Sequence, residues 1–236
     1  MKAIDFLLDL IWPNRCPFCG ELIPWDEPYC DKCYSELKRV GNRNCKFCGM
    51  SECICKFNKG KRIFPHYKKC YSAVIYEKGA RNMVLSMKLG NMKSYAKLAA
   101  GIINNFCDME IEKDSVFIGV PMRKSDIIKR GYNQSELIAK ELAKLNGMPY
   151  CKGAMKKLRK TKQQKTLTAK QRAINLHNAF GIEKNEAVKD KDVVICDDVI
   201  TTGATLNECA RMLKRAGAKS VTAVSFAVTG FYTDSY

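Results

Sequence analysis

Residues 193–205, VVICDDVITTGAT, hold the densest concentration of chemistry in the 236-residue chain. An apolar run delivers two adjacent acids, Asp197 and Asp198. A short loop of Thr201, Thr202, Gly203, Ala204 and Thr205 follows, and then a helical pattern begins. In parallel sheets ligands sit beyond the C-terminal strand ends. Gly203 permits a tight turn with exposed backbone N–H groups, and the helix N-terminus adds positive potential. Such a loop is suited to a phosphate monoester, with the Thr201, Thr202 and Thr205 hydroxyls as further donors. The two acids cannot bind a phosphate themselves. They suit the vicinal hydroxyls of a ribose, or Mg²⁺ through them. Loop and acids together describe a 5-phosphoribosyl group held at both ends.

A second constellation lies at the other end of the chain. Eight of the thirteen cysteines fall between residues 16 and 55, as Cys16-x2-Cys19, Cys30-x2-Cys33, Cys45-x2-Cys48 and Cys53-x-Cys55. NRCPFCG (14–20) recurs as RNCKFCG (43–49), so two copies of one small module account for the pattern. Close pairs without an export signal read as metal ligands rather than disulfides. Four thiolates close a tetrahedral Zn²⁺ site at about 2.3 Å per bond, which makes it structural. One to two zinc ions are expected, the compressed Cys53–Cys55 pair being the weaker half. The metal would supply folding energy to a loop-rich module that burial alone cannot hold. The scattered Cys70, Cys107, Cys151, Cys196 and Cys209 read as small buried hydrophobes.

The elements that must position these groups follow an α/β pattern from Tyr71 onward. SAVIY (72–76), SVFIGVP (115–121), VVIC (193–196) and SVTAVSFAV (220–228) read as strands. Apolar residues at helical spacing predict helix within 79–105, over 133–146 with Asn133 or Ser135 as cap, and over 205–217 with Gly217 closing it. Alternating strands and helices imply a parallel sheet covered on both faces. The expected organisation is a cysteine-rich module over 1–58, a basic connector over 59–70 and the α/β domain over 71–236, each module with its own core.

Lys and Arg outnumber Asp and Glu 41 to 24, and the excess lies in the middle of the chain. No acid stands between Glu141 and Glu183, against ten Lys or Arg. That block faces solvent or a polyanion. The apolar N-terminus, MKAIDFLLDLIW, is interrupted by Asp5 and Asp9 and reads as a short amphipathic helix rather than a signal peptide. No stretch reaches the roughly 20 apolar residues of a membrane span, so no membrane insertion and a cytoplasmic location are expected.

The strand, two acids and TTGAT resemble the diphosphoribose-binding motif of type I phosphoribosyltransferases. VPMRKSDIIKRGYNQSEL (120–137) and TKQQKTLTAKQRAINLHNAF (161–180), together with the cysteine pairs, resemble the ComF family of competence proteins, with Tyr132 where Phe is commoner. The resemblance implies a zinc-ribbon module joined to a type I phosphoribosyltransferase-like domain. It implies 5-phosphoribosyl pyrophosphate with Mg²⁺ as ligand, and pyrophosphate held by Arg123 and Lys124, with Arg130 as a second candidate. A mobile loop would fall within 152–172, where Lys157, Arg159 and Arg172 could reach the pyrophosphate. Three roles are open: phosphoribosyl transfer to an unidentified acceptor, a DNA-uptake factor that grips single-stranded DNA beside other competence proteins, or a nucleotide-sensing scaffold without catalysis.

Overall fold

The computed structural model describes residues 13–40, 65–90, 92–159 and 176–229. A short helix, α1 (Asp31–Ser35), lies in the cysteine-rich segment. The rest alternates as expected: β1 (Lys69–Ile75), α2 (Lys78–Leu89), α3 (Tyr95–Phe106), β2 (Val116–Gly119), α4 (Lys124–Arg130), α5 (Gln134–Leu145), β3 (Met155–Lys157), β4 (Phe180–Ile182), β5 (Asp192–Ile200), α6 (Ala204–Arg215) and β6 (Ser220–Val228). The main sheet is parallel in the order β1-β6-β5-β2.

Each central strand buries both faces, so consecutive residues serve opposite cores. On β5, Val193 and Ile195 face one core with Leu206, Cys209, Ala210 and Leu213 of α6. Val194 and Cys196 face the other, with α2, α3 and α5. This is the two-sided burial that unbroken apolar strands require. Four of the five scattered cysteines are buried, and Cys151 is half-buried.

Three features depart from the expected pattern. The helical stretch 79–105 is two helices, because α2 ends at Gly90 and α3 starts after Ser94. Residues 124–130 form α4, which Gly131 ends at φ 81°, in the left-handed region. Residues 155–157 and 180–182 pair as an antiparallel ribbon outside the main sheet. Strands of three residues carry too little alternation to register in a sequence.

The largest correction concerns the two modules. Phe18, between the first two cysteines, is 1% exposed and shares one core with Ala80, Met83, Val84 and Met87 of α2. A Cβ on Gly79 would lie 2.8 Å from the Phe18 Cβ, so glycine is what admits this approach. Asn82 Nδ2 donates to the Phe18 carbonyl at 2.8 Å, and Tyr95 Oη donates to that of Arg15 at 3.4 Å. Residues 38–40 run along the edge of β1, with Val40 N donating to Ala73 O and Ile75 N to Lys38 O. The cores are therefore not separate. Phe18→Ala should lower the stability of the whole protein by about 3–5 kcal/mol, in a single urea transition followed by far-UV circular dichroism. A change confined to the cysteine-rich segment would contradict the shared core.

Candidate phosphoribosyl cleft and zinc site

At the C-terminal end of β5, Asp197 and Asp198 are held very differently. Asp198 is 4% exposed and accepts at both oxygens. Lys88 Nζ lies 2.7 Å from Oδ2, Gln134 Nε2 donates to Oδ2 at 3.1 Å, and Val199 N donates to Oδ1 at 2.8 Å. Asp197 accepts at Oδ1 from Ser135 Oγ at 2.8 Å and from Asp198 N at 2.9 Å. Asp197, not Asp198, lines the cleft of about 330 Å³ formed with Tyr76, Lys88, Val199, Ile200, Thr201 and residues 203–206. Gly203 stands at φ 70° as the N-cap of α6, so the N-terminus of a helix borders this cleft.

The segment 131–135 explains how the acids are oriented. Asn133 Oδ1 caps α5 by accepting from Ser135 N, and its Nδ2 donates to Val120 O at 2.8 Å, just past β2. That seats the first turn of α5 against the sheet. Gly119 makes the approach possible, because a Cβ there would lie 2.5 Å from Glu136 N. Gln134 and Ser135 then reach the two acids from adjacent positions. Arg130 donates to Gln134 Oε1, so it supports Asp198 through Gln134. Tyr132 Oη donates to the Met87 carbonyl in the last turn of α2, next to Lys88.

Burial of the Asp197 carboxyl, with the Asp198 charge beside it, pushes its pKa up to about 7 against the Ser135 hydrogen bond and the Lys88 charge. Burial works against the Lys88 charge, but Asp198 and Asp197 outweigh it and its pKa rises. Lys88 is the residue that sequence reasoning missed. Its position becomes meaningful only once α2 is packed on the sheet.

The expected pyrophosphate residues lie on neighbouring elements. Arg123 is the N-cap of α4, half-buried, with Nε 3.4 Å from Asp126 Oδ2. Lys124 is exposed at the start of α4. Lys157, on β3, is half-buried, and burial together with the Arg123 charge lowers its pKa. Arg159 donates to the His177 carbonyl at 2.7 Å. Arg172 and the rest of residues 160–175 lie outside the described residues.

The sulfurs of Cys16, Cys19, Cys30 and Cys33 all lie within 4.8 Å of one another. Cys16–Cys30 and Cys19–Cys30 Sγ distances are 3.6 and 3.9 Å. A tetrahedron with Zn–S bonds of about 2.3 Å has S–S edges of about 3.8 Å, so the four thiols fit zinc. Gly20, at φ 83°, closes the first knuckle, and its N–H donates to Cys16 O at 2.9 Å. Burial opposes ionisation of Cys16, yet backbone N–H groups bring its pKa down to about 7. Cys45, Cys48, Cys53 and Cys55 lie outside the described residues.

Comparison with known proteins agrees with both halves. Residues 93–230 match the phosphoribosyl transferase domain family, and residues 7–72 match the double zinc ribbon domain family. The chain thus joins a phosphoribosyltransferase fold to a structural zinc ribbon. It is 30% identical over 199 residues to Competence protein F of Haemophilus influenzae, covering 82% of each chain. It is 24% identical to Competence protein ComFC of Bacillus subtilis, covering 94% of this chain and 90% of that one. It is 38% identical over 104 residues to DNA utilization protein YhgH of Escherichia coli K12, covering 44% and 45%. The chain belongs to the ComF family of competence proteins.

The raised pKa of Asp197 has a definite sign. The folded protein keeps a proton that an unfolded Asp releases near pH 3.9, so stability falls as pH rises from about 4 to about 7. Asp197→Asn should therefore match the wild type in urea midpoint near pH 4 and exceed it at pH 8. A variant no more stable at pH 8 would show that the carboxyl is not strained by its surroundings.

Proposed function

We propose that the cleft binds 5-phosphoribosyl pyrophosphate with Mg²⁺, and that the protein serves DNA uptake, a reading supported by relatives named competence protein and DNA utilization protein. One observation carries the ligand reading: Asp197 faces the same cleft as the 201–205 loop, a carboxylate at one end and a helix N-terminus at the other. The 5-phosphate belongs at the backbone N–H groups of 203–205, with Thr201, Thr202 and Thr205 as hydroxyl donors. The ribose hydroxyls belong at Asp197. Asp198 has its own oxygens already engaged and supports Asp197 only through its backbone N–H.

Pyrophosphate would lie toward Arg123 and Lys157, two half-buried cations close enough that the Arg123 charge opposes that of Lys157. An anion between them relieves that repulsion, and Lys124 adds charge at the rim. Mg²⁺, when bound with the ligand, neutralises the pyrophosphate and polarises it as a leaving group. Phosphoribosyl transfer to an acceptor is the chemistry this arrangement allows.

Calorimetric titration with 5-phosphoribosyl pyrophosphate should show binding that requires Mg²⁺. Asp197→Asn should weaken it tenfold or more, because hydrogen bonds to charged groups contribute about 1.5–3 kcal/mol each. Unchanged affinity would remove Asp197 from the site. The basic middle of the chain suits a nucleic-acid backbone. Binding to oligothymidylate should be independent of sequence, with a slope of log affinity against log salt of about −0.7 per phosphate contact. A flat salt dependence would argue against a DNA-contacting role.

A further inference from the structure

Lys88 ties the cleft to the zinc site. It leaves the last turn of α2, lines the cleft beside the 201–205 loop, and pairs with Asp198 at 2.7 Å. The first turns of the same helix are clamped by the zinc knuckle. Phe18 lies against Gly79, and Asn82 Nδ2 donates to the Phe18 carbonyl between Cys16 and Cys19. Lys38, from the segment that follows the knuckle, pairs with Glu77 at the helix N-cap at 2.7 Å. Met83, Val84 and Met87 fill the interval in the core that also holds Cys16 and Phe18. A helix of 12 residues is about 18 Å long and transmits such a constraint as a rigid body.

We infer that Lys88 is a cleft residue whose placement depends on zinc. The Cys16–Cys19 knuckle acts as a positioning element for phosphoribosyl binding, through Phe18, Asn82 and α2. This rests on the phosphoribosyl reading of the cleft. With zinc bound, the knuckle fixes the Phe18 ring and carbonyl, and α2 holds Lys88 against the acid pair. Without zinc, four neighbouring thiols lose the ion that gathers them, and the clamp on Gly79 and Asn82 loosens. Lys88 then leaves Asp198, and the two carboxylates lose the cation that lets them coexist. Coupling of this kind is reciprocal, so a ligand that engages the acid pair and Lys88 must also tighten the zinc site.

The test uses the zinc-loaded full chain. A zinc chelator and N-ethylmaleimide are added together, and alkylation of Cys16, Cys19, Cys30 and Cys33 is followed by peptide mass spectrometry. Saturating 5-phosphoribosyl pyrophosphate with Mg²⁺ should slow alkylation about fivefold or more in the wild type. It should slow it far less in Lys88→Met, which keeps the length of the side chain without its charge. Asn82→Ala should reduce the protection in the same direction. Equal protection in wild type and Lys88→Met, or none in a wild type that calorimetry shows to be saturated, would overturn the inference. A zinc-loaded wild type that binds no 5-phosphoribosyl pyrophosphate at all would instead sink the cleft reading. Acetic anhydride labelling of Lys88 then decides the coupling without ligand. Labelling should rise severalfold when zinc is withdrawn, and an unchanged rate would overturn it.

Discussion

Two adjacent carboxylates at the end of a buried strand cannot both stay ionised unaided, and most of the cleft exists to supply that aid. Like charges this close raise one pKa strongly, and burial adds to the effect. Here the protein spreads the burden over three elements. The cation comes from α2 as Lys88, hydrogen bonds come from the first turn of α5 as Gln134 and Ser135, and a backbone N–H comes from β5 itself. The result is asymmetric. Asp198 is fully engaged and becomes part of the scaffold, while Asp197 stands at the cleft with an elevated pKa. Functional sites commonly carry such strain, which the surrounding fold offsets.

That constraint explains why the sequence around 119–135 looks as it does. Gly119 lets α5 touch β2, Asn133 both caps the helix and anchors it to Val120, and the next two residues are then the ones that face the acids. Arg130 and Tyr132 act one step further out, on Gln134 and on the carbonyl beside Lys88. The zinc knuckle belongs to the same chain of support. Phe18 gives the cysteine-rich segment a share in the main core, where it packs with Ala80, Met83, Val84 and Met87 of α2. A metal site that closes all four positions has no chemistry of its own. Its contribution is geometric.

The strands of the main sheet, the 201–205 loop before α6 and the Cys16, Cys19, Cys30 and Cys33 cluster were legible in the sequence because each is local. Apolar runs of β5 and β6, the glycine-hydroxyl loop and the Cys-x2-Cys spacing state their chemistry within a few residues. What stayed hidden is non-local. Lys88 lies 110 positions before Asp198, and nothing in SMKLG signals an ion pair. Ser135 reads as a helix cap, yet its hydroxyl serves Asp197 while Asn133 does the capping. The cysteine spacing implies a module with its own core, but Phe18 overrides that by reaching Gly79. The three-residue strands β3 and β4 are fixed by Phe180 in the core and by Lys157 beside its ring, not by any alternation of their own.

The central claim is that one cleft holds a 5-phosphoribosyl group between the 201–205 loop and Asp197. A crystal structure with 5-phosphoribosyl pyrophosphate and Mg²⁺ tests it most directly. The account predicts the 5-phosphate within hydrogen-bonding distance of the backbone N–H groups at 203–205, and the ribose hydroxyls at Asp197, with Asp198 still engaged by Gln134. A phosphate bound away from that loop, or a ribose turned away from Asp197, would contradict it.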